Sequence, residues 1–503
     1  MSPDYDLVII GGGINGTGIA RDAAGRGLRV LLVEKGDLAS ATSSASTKLI
    51  HGGLRYLEYY EFGLVRDSLK EREVLLGLAP HVIWPLQFVL PHDRRQRPAW
   101  MIRAGLFLYD HLARRKKLPG SGRINLMEHD FGKPLKGLYT TGFQYTDCWV
   151  DDSRLVVLNA LDAAERGADI LTRTECVDVR VDEGRWAVKL RDQNNKGIRY
   201  VNAKMVINVA GPWVRAFIER CGLDAPDVPH VRLVKGSHII IKKAYQGDQV
   251  YILQQANKRI VFVIPYEQDF TLIGTTEEAF SGNPDDIRIS EEETAYLCAA
   301  FNESFNTAIT PGDVLWNYSG VRPLMDDGKD NATSVTRDYL LHRHAHNGPP
   351  ALSVFGGKLT TYRVLAEKAV TMMLREQGRY IAPWTAGAPL PGGDINDGDF
   401  EGFVSRQAQI YPWLPPLLVR RYARAYGTRM NRFLDGARTV RDLGRDFGSH
   451  VYEAEIIYLI RHEWARTAED ILWRRSKLGL HVSDPTVQSL EDAVPALIKK
   501  VMS

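Results

Sequence analysis

Four short patches of the chain set a cation or an imidazole beside glycine. They are His51-Gly52-Gly53-Leu54-Arg55-Tyr56, Lys235-Gly236-Ser237-His238, Tyr318-Ser319-Gly320-Val321-Arg322-Pro323-Leu324 and Gly356-Gly357-Lys358-Leu359-Thr360-Thr361-Tyr362-Arg363. Arg337, in Thr336-Arg337-Asp338-Tyr339, is a fifth candidate. Glycine next to a cation lets backbone and side chain approach one anion together. Guanidinium forks match phosphate oxygens in pairs and lysine adds a point charge, so such patches suit a small phosphorylated substrate. The histidines add a proton acceptor, since an unperturbed imidazole titrates near 6.5. Any one of these cations alone is usually an unconnected surface residue. The chemistry exists only if the fold makes them converge.

A second kind of chemistry is written at the amino terminus. Leu7-Val8-Ile9-Ile10 reads as a strand, Gly11-Gly12-Gly13-Ile14-Asn15-Gly16 as a turn, and Thr17 to Ala24 as a helix. Gly11 permits the tight turn, Gly13 lets backbone amides reach a pyrophosphate, and Gly16 lets the helix pack closely on the strand. Arg29 to Val33 reads as the next strand and ends on Glu34, placed to accept from an adenosine ribose hydroxyl. Its charge disfavours a 2′-phosphate, which leaves FAD or NAD. The hydroxyl-rich Ala39 to Leu49 follows, and Asn208-Val209-Ala210-Gly211-Pro212-Trp213 after the apolar Met205-Val206-Ile207 reads as a second nucleotide contact. Two such contacts in one chain favour a flavin dinucleotide.

These residues need elements to hold them. Strands are expected at 171–177, 186–190 and 205–209 to complete a nucleotide domain from separate pieces, and at 237–241, 250–253, 259–264 and 270–273 for an antiparallel substrate sheet. Pro383, Pro389, Pro391, Gly392 and Gly393 mark a boundary near 388, beyond which a charged helical domain is expected. The expected class is α/β: a Rossmann-like FAD domain (about 1–75, 140–230 and 340–387), an interleaved substrate domain (about 76–139 and 231–339), and a helical cap over 388–503.

With 503 residues, 44% hydrophobic and 25% charged, the chain can bury a large core. Its 64 basic and 61 acidic side chains are too nearly balanced to suggest a nucleic-acid binder. Cys148, Cys176, Cys221 and Cys298 are far apart, without the spacing of a metal site or disulfide framework, so no metal is expected. The chain opens without a basic leader and cleavage site, and holds no apolar run of about 18 residues, so neither secretion nor a spanning helix is expected. Arg420-Arg421-Tyr422-Ala423-Arg424, Arg429 to Arg432 and Trp473-Arg474-Arg475-Ser476-Lys477 interleave cations with aromatics, a pattern suited either to an anionic bilayer surface or to a solvated helix face. Met101 to Leu108 is the alternative membrane-facing stretch, or core.

Taken together, HGGLRYLE, YSGVRPL and FGGKLTTYR, with Thr42 to Ser46, Asp147-Cys148-Trp149-Val150-Asp151-Asp152 and Ile273-Gly274-Thr275-Thr276, resemble the FAD-dependent glycerol-3-phosphate dehydrogenase family over nearly the whole chain. Glu277 stands where that family's pattern would put aspartate. The resemblance implies oxidation of sn-glycerol 3-phosphate to dihydroxyacetone phosphate, with electrons passing through FAD to ubiquinone. It also implies a homodimer attached peripherally to the cytoplasmic side of the inner membrane, on an anionic surface. The expected catalytic set is His51, Arg55, Arg322 and Lys358, with His51 the first choice of base and His238 the second. Substrate contacts are expected from Arg55, Tyr56, His238, Arg322, Arg337 and Lys358. FAD contacts are expected from Gly11, Gly13, Ile14, Asn15, Gly16, Glu34, Thr42, Ser43, Ser46, Thr47, Lys48, Leu49, His51, Val177, Ala210, Gly211, Trp213, Gly357, Lys358, Leu359 and Thr360. Two rivals share the superfamily: an oxidase passing electrons to oxygen, and an amino-acid oxidase needing one arginine for a carboxylate.

Overall fold

The computed structural model describes residues 4–93, 97–115, 117–255, 259–325, 338–345 and 348–502. Strand β1 (Asp4–Ile10) is an apolar run buried on both faces, which suits the centre of a parallel sheet. Helix α1 (Ile14–Gly25) follows the glycine turn, and β2 (Val30–Val33) returns parallel to β1, register Leu7 to Val30. The sheet runs 340–343, 351–355, 198–208, β1, β2, 169–171. Its strands from 351–355 to 169–171 are parallel, and the antiparallel strands 174–182 and 185–192 extend it beyond 198–208.

Among the described residues the second sheet has ten strands, with 231–242 paired along its length to 316–325 and flanked by 270–274 and 278–279. The expected strands at 237–241, 250–253, 259–264 and 270–273 all appear in it. Two expectations change. The sheet is mixed, because 250–254 joins 83–92 in parallel. The chain also re-enters the nucleotide layer at 151 instead of 140, since Thr141–Val150 pairs with Ile83–His92 through ten register positions and so belongs to the substrate sheet.

Helix α2 (Phe62–Leu78) ties the layers together: Val65 and Leu69 pack into the substrate core, Leu75, Leu76 and Leu78 into the nucleotide core. Helix α3 (Ala99–His111) packs beside residues 54–59, and α4 (Asp152–Glu165) beside α1. The last domain is helical, with a core running from Ile395 to Leu497. Leu390 still packs with the nucleotide core, so the boundary lies between 390 and 395.

Most cations in the basic aromatic stretches of that domain are engaged within the protein, not laid out on one surface. Arg421 pairs with buried Glu455 at 2.6 Å, Arg429 with Glu165 at 2.6 Å, and Arg424 lies over the rings of Phe400 and Trp84. Arg474 and Arg475 are buried against Asp37. Arg421, Arg429, Arg474 and Arg475 face carboxylates distant in sequence, Arg424 lies on aromatic rings, and Arg420 and Arg432 keep side chains 40% and 51% exposed.

Candidate active site

A cavity of about 1860 Å³ runs from the glycine turn to the substrate sheet. At its nucleotide end, Gly11 has φ +120°, and a Cβ there or at Gly16 would collide with the Val209 or Gly11 carbonyl oxygen. Gly16 therefore does not line the cavity; its role is close packing of the helix. The N-cap residue Gly13 has no side chain to close the start of α1, and Gly13, Ile14 and Asn15 at that end line the cavity with the helix dipole behind them. The Ser43 hydroxyl accepts the Ile14 N–H at 3.0 Å, and Asn15 donates to the Gly356 carbonyl at 3.3 Å. Glu34 accepts the N–H groups of Gly12 (2.6 Å) and Gly36 (2.8 Å). Burial raises its carboxyl above the ordinary value despite those bonds.

Opposite, Asn208 fixes the turn at Ala210, and Ala210, Gly211 and Trp213 line the cavity, Trp213 lying beneath the Lys35 ammonium (3.7 Å). Val177 does not line it; its neighbours Glu175 and Cys176 do, because the strand bulge at 176–178 shifts which side chain faces in. Thr42, Ser43, Ser46, Thr47, Lys48 and Leu49 form one wall. Lys48 is sealed, its ammonium on Asp152 (2.8 Å) and the Ser44 carbonyl. Burial pulls the Lys48 ammonium below its usual range, with Asp152 opposing. Burial likewise works to raise Asp152, but Lys48 and Lys477 outweigh it and hold the carboxyl low.

At the other end, His51, Arg55, Tyr56, Arg322, Gly357, Lys358 and Leu359 all line the cavity. Three of the four patches thus bring side chains to one cavity, while the 235–238 patch contributes only Gly236. Lys358 donates to the His51 carbonyl at 2.6 Å and lies over the Tyr56 ring. Thr360 is buried behind this wall and accepts the His51 N–H at 3.3 Å, so it holds the wall without lining it. The loop is pinned from below: Gly52 donates to the Tyr109 hydroxyl (2.8 Å), Tyr109 donates to Asp147 (2.7 Å), and Asp147 pairs with Arg72. A Cβ at Gly52 would strike Tyr109. Burial, then the charges of Lys358 and Arg72, push the His51 imidazole well below 6.5, so it is neutral at neutral pH.

His238 differs from expectation. It is 1% exposed and does not line the cavity; its Nε2 meets the Thr47 hydroxyl at 3.0 Å and its ring stacks on Tyr318. The strand puts it one layer behind Thr47, so His51 is the imidazole that faces the cavity. Two quoted cations also turn away: Lys235 pairs with Glu293 (2.7 Å) and Arg363 with Glu71 (2.6 Å). Arg337 lies outside the described residues.

Arg322 is oriented by residues only partly flagged by the sequence. Its Nη2 donates to the Thr275 hydroxyl (3.3 Å), and Glu277 stands 3.9 Å from Nη1. Gly236 makes room, since a Cβ there would come within 2.7 Å of both Arg322 and Thr275. Sequence reasoning missed Tyr145, Ile252 and Phe262, which supply apolar wall; alternation along their strands was the available signal.

A parallel nucleotide sheet with a glycine turn, joined to a mixed sheet that walls a cation-lined cavity, defines a flavoprotein oxidoreductase. Residues 6–363 match the model of the FAD dependent oxidoreductase family, and the chain belongs to that family. Residues 384–502 match the C-terminal domain of alpha-glycerophosphate oxidase. The chain is 52% identical to the D-erythritol 1-phosphate dehydrogenase of Brucella abortus, over 95% of each chain. It is 53% identical to the glycerol-3-phosphate dehydrogenase of Pseudomonas aeruginosa, over 95% of this chain and 93% of that one. Identity to the aerobic glycerol-3-phosphate dehydrogenase of Escherichia coli is 50%, over 94% of each. The structure of the glycerol-3-phosphate dehydrogenase from Bacillus halodurans complexed with FAD superposes with a TM-score of 0.80 at 26% identity, covering 99% of this chain and 91% of that one.

The cofactor is FAD, and the residues fit it. Gly11, Gly13 and Gly357 line the cavity where no side chain fits, since a Cβ would strike Val209, Ser43 or Asn15, and the buried Asn15 Oδ1 there has no protein partner among the described residues.

Proposed function

We propose that this protein oxidises sn-glycerol 3-phosphate to dihydroxyacetone phosphate. The observation that carries the reading is the convergence of Arg55, Arg322, Lys358 and neutral His51 on one cavity that also holds the dinucleotide cradle. Bound FAD supplies the hydride acceptor. Arg55, Arg322 and Lys358 hold the phosphate and stabilise negative charge developing on the C2 oxygen. A His51 ring nitrogen accepts the C2 hydroxyl proton. An amino-acid substrate would leave this surplus of cations unused.

The electron acceptor in this reading is ubiquinone, reached at a membrane. No helix among the described residues is long and apolar enough to span one. Instead α3 is apolar on both sides: Ile102, Leu106 and Tyr109 are buried, while Trp100, Met101, Phe107 and Leu108 are exposed. Tyr59, Tyr60 and Phe62 extend the exposed apolar area beside it, with Arg66 and Arg103 exposed nearby, and Tyr59 also lines the cavity. A patch of this kind suits insertion to headgroup depth from the cytoplasmic side of the inner membrane. The resemblance also carries a homodimer, which light scattering would read as about twice the 56.5 kDa chain mass.

The test is steady-state turnover with a soluble quinone as acceptor. sn-Glycerol 3-phosphate should be turned over with little peroxide, glycerol not at all, and D-erythritol 1-phosphate with lower kcat/KM. A higher kcat/KM for the four-carbon ester would reassign the substrate, and stoichiometric peroxide would reassign the acceptor to oxygen.

A further inference from the structure

The segment 35–48 forms a wall of the FAD cavity, yet it contains no regular structure beyond one 3-10 turn, and it holds Ala39 and Lys48 at φ near +60°. Such a loop needs outside support, and the C-terminal domain supplies it directly at one end and through α4 at the other. At the first end, Asp37 (2% exposed side chain) accepts from Arg474 Nε at 2.7 Å and from both Nη atoms of Arg475. Arg474 is itself held by Glu469 and Asp470, and Asp470 reaches Arg173 (2.6 Å), whose N–H donates to the Gly36 carbonyl at 2.7 Å. At the other end, Lys48 and Ser46 bind Asp152, and the next residue, Ser153, accepts from Lys477 at 2.7 Å. Between these contacts the Trp473 ring stacks on Trp316 at 4.1 Å, and Trp473, Arg474 and Lys477 line the cavity. Residues 470–475 form a single π-helical turn, which brings Trp473, Arg474 and Arg475 to one junction.

We infer that the C-terminal domain is a cofactor-retention element: its turn at 470–475, continued by Lys477, holds the 35–48 loop in the form that receives FAD. A loop ordered before binding spares the cofactor the cost of ordering it, so affinity falls when the support is removed. Asp37 is buried against both guanidinium groups, and Arg474 is shared with Glu469 and Asp470 and Arg475 with the Glu463 carbonyl, so the junction is one network whose disruption loosens the loop.

The experiment uses the full chain stripped of FAD, with Kd read from quenching of flavin fluorescence on titration. R474Q and W473L should each weaken FAD binding at least tenfold. The control is E165Q, which cuts the Arg429–Glu165 pair between the same two domains at the far end of α4, about 20 Å along the helix from Asp152. It should lower the melting temperature of the apoprotein while leaving the FAD Kd within twofold. Circular dichroism establishes that each variant is folded, and the two test variants act through different contacts. Unchanged FAD affinity in folded R474Q and W473L, or an equal loss in E165Q, would overturn the inference.

Discussion

Arg322→Ala removes one arm of the phosphate clamp without touching the dinucleotide cradle. The guanidinium is 26% exposed, fixed on one edge by Thr275 and beside Glu277, so it is preorganised on the cavity it lines. A hydrogen bond to a charged partner contributes about 1.5–3 kcal/mol, and partial exposure keeps the net for the pair near about 2–3 kcal/mol. At 1.36 kcal/mol per tenfold, that is a fall of about 30- to 150-fold in kcat/KM. Arg322→Lys should recover part of it, because lysine restores charge but not the fork. The assay is kcat/KM for glycerol 3-phosphate with a soluble quinone, beside the flavin-to-protein absorbance ratio. A flavin-loaded Arg322→Ala variant within about threefold of the parent would remove Arg322 from the clamp.

His51 is held neutral by burial and by Lys358 and Arg72, so kcat should be flat through neutral pH and fall only once the pH drops below 6.5, where the proton blocks acceptance; an acid limb centred at or above 6.5 contradicts the base assignment. His51→Asn should cost about 100-fold or more in kcat. His81 is fully buried, neither ring nitrogen has a partner among the described residues, and burial with Arg154 and Arg424 lowers its pKa to about 3. The unfolded chain therefore binds a proton below 6.5 that the folded chain refuses, and stability falls with pH through that window. At pH 5 the loss from His81 is about 2 kcal/mol, and His81→Leu should remove it from the pH dependence of denaturation midpoints; an unchanged slope would contradict it. For the membrane face, Trp100→Ser with Phe107→Ser should abolish sedimentation with anionic vesicles while leaving turnover on soluble quinone intact. Retained sedimentation would place the attachment elsewhere.

The amino-terminal unit was fully legible, because every signal in it is local: apolar run, glycines at fixed offsets, second strand, Glu34. The cation patches were legible as motifs but not as directions. Arg322 and Lys358 face the cavity whereas Lys235 and Arg363 do not, and the difference lies in Glu293 and Glu71, partners 58 and 292 residues away that no local pattern reveals. The same blindness turned the C-terminal cations outward on paper while Glu455, Glu165 and Asp37 draw them inward. The crossing at 151 was unreadable for a related reason: strand 141–150 is assigned by its pairing with 83–92, and pairing is not written in either strand alone. Helix α3 showed its apolar residues plainly, but only burial separates the side that packs from the side left exposed.

The most direct measurement is the anaerobic absorption spectrum of the purified protein before and after sn-glycerol 3-phosphate, with glycerol and an amino-acid mixture as controls. The account predicts that the oxidised-flavin bands bleach with the phosphate ester and persist with both controls. An oxidised-flavin spectrum that glycerol 3-phosphate leaves unchanged, or that an amino acid bleaches instead, would contradict it.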